Sequence, residues 1–192
     1  ASANYVNTKG KGRNSTGYSD NIMTSFRQWY QVNVDMDMLE ELYRKTGRNV
    51  TWNPTYYDDP VPLYWDSPYW VRFKNYRTDE RNRLIGFVQA DWKATDWLSF
   101  MGRASVDTYS ELQEERKAVG SVAGELGVDR PDVTSGYSRY DRTYYETNLD
   151  FMANFRKDLT DKLNINGLLG VNVRKQRVDR VFASTNGGLS VP

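Results

Sequence analysis

From Asn82 to Leu112 hydrophobic and polar residues alternate. Leu84, Gly86, Val88, Ala90 and Trp92 fall on one face of an extended chain, and Phe87, Gln89, Asp91 and Lys93 on the other. After the short turn Ala94-Thr95-Asp96-Trp97, Leu98, Phe100, Gly102, Ala104 and Val106 oppose Ser99, Met101, Arg103, Ser105 and Asp107. A period of two belongs to strands, because successive side chains of a pleated chain leave opposite faces. The stretch therefore predicts a β-hairpin.

The pattern returns downstream. Thr95-Asp96-Trp97-Leu98 and Thr160-Asp161-Lys162-Leu163 both begin a T-D-x-L-x-[FI]-x-G motif. Before the second motif, Tyr145, Thr147, Leu149, Phe151, Ala153 and Phe155 share a face opposed by Glu146, Asn148, Asp150, Asn154 and Arg156. After it, Leu163, Ile165, Gly167, Leu169, Val171 and Val173 alternate with Asn164, Asn166, Leu168, Gly170, Asn172 and Arg174. A second hairpin is predicted, with a long connection from Glu114 to about Ser138, and both T-D turns at the same end.

Two readings fit these faces. In a soluble sandwich or barrel the apolar face meets a core and the polar face meets water. In an outer-membrane barrel the apolar face meets lipid and the polar face a wet lumen. A strand needs about 9–11 residues to cross lipid, and all four alternating segments reach that length. Soluble strands are typically nearer 5–6 residues. Tight turns alternating with long polar connections also match outer-membrane topology.

The remaining chain reads as excursions. Ala1–Asn7 resembles the end of a strand, and Gly10–Asn21 is a loop of turn formers. Phe26, Trp29 and Tyr30 stand at i, i+3 and i+4, predicting a short helix. A second helix is predicted with Asp37 as cap, Glu40 three residues on, a Leu39/Leu42/Tyr43 stripe and Gly47 as stop. Asn49–Trp70 is rich in aromatics and proline and reads as irregular but packed on those helices. Arg72–Arg83 reads as a solvated charged rim.

Candidate chemistry is sparse. Exposed rings among Tyr57, Tyr64, Trp65, Tyr69 and Trp70 would stack on sugars, although packing is the commoner role for such residues. Asp58-Asp59 lacks the spaced oxygen ligands of an EF-hand loop. Glu111, Glu114 and Glu115 invite a glycosidase reading, but catalytic carboxylates must flank a cleft about 5–10 Å apart, and adjacency at a strand end gives no sign of one. With no phosphate loop and no Ser/His constellation, no enzyme is predicted.

Composition narrows this further. The 192 residues carry 26 basic and 25 acidic side chains, so charge gives no case for nucleic acid. There is no cysteine for a disulfide framework and no histidine, the commonest metal ligand and general base. No metal or cofactor is predicted. A mean hydropathy of -0.77 is compatible with a membrane barrel, whose strands are only half apolar. Four or five strands do not close such a barrel, whose smallest members have about eight, so the membrane reading makes this a piece of a larger chain.

The ordered series GYSDN (17–21), SFRQW (25–29), the Leu39/Leu42/Tyr43 helix, Trp52-Asn53, SPYW (67–70), DERNRLIG (79–86), TDWLSFMGR (95–103) and Asp107-Thr108-Tyr109 resembles the barrel of SusC/RagA-type TonB-linked outer-membrane proteins. The resemblance covers nearly the whole chain, with Ser67 where N-P-Y-W is expected. It implies an all-β fold: antiparallel hairpins forming part of a large transmembrane β-barrel of about 22 strands with a plugged lumen, with long extracellular loops carrying short helices. On it, 1–11 end a strand, 12–81 are an extracellular loop with short helices, 82–113 a hairpin, 114–138 a second loop, 139–182 a hairpin and 183–192 the start of a loop. No plug, TonB-contacting segment or signal peptide is expected within these residues.

The resemblance further implies TonB-dependent import of glycan or other nutrient oligomers across a Gram-negative, Bacteroidetes-like outer membrane, without chemistry on the substrate. Its implied partners are outer-membrane lipid, TonB, a SusD-like surface lipoprotein and an oligosaccharide or peptide substrate. It assigns no individual site residue. A secreted β-sandwich carbohydrate-binding module and a lipocalin-like soluble barrel remain the alternatives.

Overall fold

The computed structural model describes residues 1–13, 21–27, 30–122 and 135–191. In chain order they form β1 (Ser2–Lys11), α1 (Ile22–Arg27), α2 (Met36–Thr46), β2 (Pro54–Tyr56), β3 (Asp59–Pro62), α3 (Pro68–Phe73), β4 (Tyr76–Lys93), β5 (Leu98–Lys117), β6 (Gly136–Thr160) and β7 (Leu163–Ser184). Strand makes up 60% of the described residues against 14% helix, which makes the fold all-β. The main sheet is open, mostly antiparallel and five-stranded, in the order β1-β4-β5-β6-β7. Everything between β1 and β4 is thus an excursion between neighbouring strands. It contains the second sheet, the antiparallel pair β2-β3.

Both predicted hairpins are present. Ala94–Trp97 separate β4 from β5, and the amides of Ala94 and Thr95 both donate to the Leu98 carbonyl, each at 3.1 Å. Asp161 and Lys162 alone separate β6 from β7. With β4 to β7 adjacent and successive, the two turns fall at one end of the sheet. The amide of Arg156 donates to the carbonyl of Trp97 at 2.8 Å, tying the end of β6 to the first turn.

The strands run further than the apolar alternation. β4 begins at Tyr76, within the stretch read as a solvated rim, and β5 continues to Lys117. Charged cross-strand pairs carry the ladder there, a role apolar periodicity does not reveal. Arg77 pairs with Glu115 and Arg81 with Glu111. Glu111 and Glu115, candidates for acid–base work, are held by these arginines.

The chain divides into two compact units, Ala1–Thr8 with Arg81–Glu111 and Arg142–Arg180, and Lys9–Glu80 with Leu112–Asp141 and Val181–Pro192. The first is strand alone. The second holds the helices and the buried aromatic core: Trp52, Trp65 and Trp70, with Ala118. Phe26 of α1 stacks on Trp52 at 5.7 Å, Tyr30 meets the same ring edge-on at 5.3 Å, and Tyr43 of α2 stacks on Phe73 of α3 at 5.6 Å. The aromatic segment therefore packs on the helices as expected; Trp29 lies outside the described residues.

Three local expectations are corrected. α1 spans Ile22–Arg27, so Tyr30 lies beyond its end. The cap of α2 is Asp35, whose carboxylate accepts from the amides of Asp37 and Met38 at 2.9 and 3.2 Å. Asp37 already has helical neighbours on both sides and instead places its charge in the first turn, where it complements the helix dipole. Gly47 ends the helix as expected, in the left-handed conformation at φ 64°. The stretch 49–70 is also more regular than predicted: it contains β2-β3 and opens α3, where Pro68 occupies the first turn, the position at which its missing N–H costs nothing.

Candidate functional site

In the strand unit, alternation sorts side chains onto two unlike faces. Trp92, Phe100 and Phe151 form a continuous stack across β4, β5 and β6, with centroids 5.6 and 5.8 Å apart. Leu84, Val88, Val106 and Leu149 line one depression on that face. The face is open. Leu149 is 55% exposed, Phe151 53%, Leu169 69% and Val171 63%. Close strand contact shapes it at two glycines. A Cβ on Gly86 would stand 2.9 Å from the Ser2 carbonyl of β1, and one on Gly167 would stand 2.5 Å from Cζ of the Phe155 ring.

The opposite face carries a network of ion pairs and amide bonds. Arg83 donates to both Asp107 oxygens, with Nε at 2.8 Å. Asp150 accepts from Arg103 Nε at 2.8 Å and from Asn172 Nδ2 at 2.6 Å. Glu146 accepts from Arg174 at 2.6 Å and from Asn148 at 3.0 Å. Higher on the same strands, Tyr109 stacks on Tyr144 at 5.0 Å, with the guanidinium carbons of Arg81 and Arg142 at 5.0 and 5.4 Å from its ring. Such pairing matters because unpaired charges are costly wherever solvation is incomplete.

The sugar-stacking candidates sit in the other unit, and the structure does not gather them. Trp65 and Trp70 are 4% and 7% exposed, their faces in the core. Trp70 Nε1 donates to Ser121 Oγ at 2.8 Å. Tyr69 is half-buried and donates its hydroxyl to the Met36 carbonyl at 3.0 Å. Burial first, then the charges of Glu40 and Asp37, push its phenol pKa upward. Tyr57, in the β2-β3 turn, is 100% exposed and Tyr64 63%, so these two present open rings.

A buried polar knot, unforeseen from sequence, fixes the segment that holds them. Asp66, 1% exposed, accepts from Asn49 Nδ2 at 2.6 Å and from the Val122 amide at 2.7 Å. Asn49 Oδ1 accepts from the Ser67 amide, and Asn53 Oδ1 from the amides of Tyr64 and Trp65. Tyr137 donates to Glu114, and that bond raises its pKa to about 12, with burial adding to the shift. Among the described residues no group of three acidic side chains is placed to hold a metal, and no helix is long and apolar enough to cross a membrane. Compared with known proteins, no family model matches this sequence and no curated protein matches it.

Proposed function

We propose that this chain is a section of the wall of an outer-membrane transporter barrel, with its apolar face against lipid and its ion-paired face toward a water-filled lumen. The observation that carries the reading is the open apolar face, Leu149, Phe151, Leu169 and Val171, backed by the network on Asp107, Glu146 and Asp150. A soluble sandwich hides its apolar face beneath a second sheet, whereas a lipid-facing barrel leaves it uncovered and turns polar residues inward. Strands of 18 to 25 residues from β4 to β7 exceed the crossing length of about 9–11 and leave room for extension beyond the bilayer.

In this reading the T-D turns are periplasmic and the aromatic unit is extracellular. Further strands complete the barrel, since an open edge in hydrocarbon leaves backbone groups unpaired. The cargo is a glycan or other nutrient oligomer, delivered by a SusD-like lipoprotein and drawn in through TonB. Support for that cargo is the ordered motif series together with the open rings of Tyr57 and Tyr64.

The test is depth-resolved quenching. Variants of the full-length protein that keep only Trp92 or only Trp70, with the other tryptophans replaced by phenylalanine, are folded into vesicles of brominated phospholipid. Bromine should quench Trp92 strongly and Trp70 little. Equal quenching, or none at Trp92, removes the lipid-facing assignment.

A further inference from the structure

We propose that the basic cleft formed by α1, α3, the start of β4 and the end of β5 binds a carboxylated sugar, a uronic acid residue of the imported oligosaccharide. This names the substrate class of the transporter reading and rests on it. The cleft encloses about 290 Å³. Ile22, Met23 and Val71 give it an apolar lining, and Arg72 and Arg116 a cationic one.

The charge of these two arginines is uncompensated: among the described residues neither has a carboxylate within ion-pair distance. The carboxylates nearby are each matched by another arginine: Glu115, which itself lines the cleft, by Arg77, and Asp79 by Arg13. Arg72 is aimed by the backbone, Nη1 donating to the Gly12 carbonyl at 2.7 Å. Gly12 makes that approach possible. It sits at φ 64°, and a Cβ there would stand 2.8 Å from the same nitrogen. Arg116 makes one long contact, to the Lys74 carbonyl at 3.5 Å.

Guanidinium forks match carboxylate oxygens in two parallel bonds, so one aimed arginine with a second in the same cleft, beside an apolar surface, recognises a carboxylate joined to a C–H face. A uronic acid ring has both parts rigidly connected. An acidic peptide presents its carboxylate on a flexible stem and loses rotamer entropy on binding. The volume is at the low end of the ~300–1,000 Å³ of ligand pockets, which suits one ring rather than several.

The experiment titrates trigalacturonate into the full chain folded in detergent, by calorimetry, alongside Arg72→Gln/Arg116→Gln and the single variant Arg116→Gln. Trigalacturonate should bind with salt-sensitive affinity, and the double variant should lose about tenfold or more, as removal of charge-assisted bonds implies. Neutral maltotriose should be indifferent to the substitutions. If the double variant does not fold, judged by near-ultraviolet circular dichroism, Arg116→Gln alone must still weaken trigalacturonate. Unchanged affinity in the folded variants overturns the site. Tighter binding of triglutamate overturns the sugar assignment in favour of a peptide, and displacement by phosphatidylglycerol assigns the cleft to lipid headgroups. Binding in micelles is independent of the bromine result, so failure here with Trp92 quenched rejects only the substrate class, while binding without quenching rejects only the membrane reading.

Discussion

Arg103 on β5 reaches Asp150 on β6 at 2.8 Å, on the sheet face opposite the stacked rings of Phe100 and Phe151. Within one strand pair, then, charge is neutralised on one side while aromatic surface stays uncovered on the other. Asp150 also accepts from Asn172, so this carboxylate joins three strands. Asp150→Ala should destabilise the strand unit, because two donors on neighbouring strands lose their shared acceptor. Urea unfolding of the detergent-folded protein measures it, and an unchanged unfolding midpoint would make the pair incidental.

Trp70 and Tyr57, two residues with the same expected role, should separate sharply on substitution. Trp70 is a core ring with its indole N–H bonded to Ser121, whereas Tyr57 has no neighbour covering it. Trp70→Ala should cost about 3–5 kcal/mol, as large-to-small core changes do, and Tyr57→Ala less than about 0.5 kcal/mol. Hydrogen exchange in 49–75 should report the first and be unmoved by the second.

Tyr137 lies in the unit read as extracellular, where its bond to Glu114 lifts its pKa from 10.0 to about 12. A raised pKa means the folded state holds its proton after the unfolded state has lost it. The stabilisation is therefore complete below pH 10 and disappears as pH rises toward 12. The ultraviolet difference titration between wild type and Tyr137→Phe should show one phenol ionising near 12, and the variant's stability should fall less steeply over that interval. Ionisation near 10 would mean the bond to Glu114 does not persist in solution.

The sheet was legible because apolar residues recur at every second position from Leu84 to Trp92 and from Leu163 to Val173, with Ile85, Phe87 and Leu168 the apolar exceptions on the opposite face. Strand ends were harder to read: around Arg77 and Glu115 the ladder is carried by ion pairs, and a charged run has the same composition in a strand as in a solvated loop. The mirrored order of Arg77, Arg81 and Arg83 against Asp107, Glu111 and Glu115 was the available signal. The aromatic segment was legible in its packing but not in its roles. Trp65 and Tyr64 are neighbours with opposite exposure on a backbone held by amide bonds from both to Asn53 Oδ1, a contact across 11 and 12 residues that no local pattern encodes. Asp35 lacks the capping-box pattern, since Met38 and not a glutamate follows three residues later, yet its carboxylate alone satisfies two amides.

The orientation of the faces decides the membrane reading, and Leu169 with Asn172 tests it on one strand. Leu169 is on the open apolar face, 69% exposed, and Asn172 is on the other, bonded to Asp150. If lipid covers the apolar face, Leu169→Arg places a guanidinium in hydrocarbon at a cost of about 2–4 kcal/mol near the midplane. Asn172→Arg enters a wet lumen beside Asp150, where the added charge finds a partner and water. In the full-length protein Leu169→Arg should therefore reduce the folded fraction, read as loss of heat-modifiable migration on a gel, while Asn172→Arg folds normally and alters at most what passes through. Water covering the apolar face would instead make Leu169→Arg harmless or favourable, since it replaces exposed leucine with a solvated charge. Equal folding of the two variants would remove the lipid from that face.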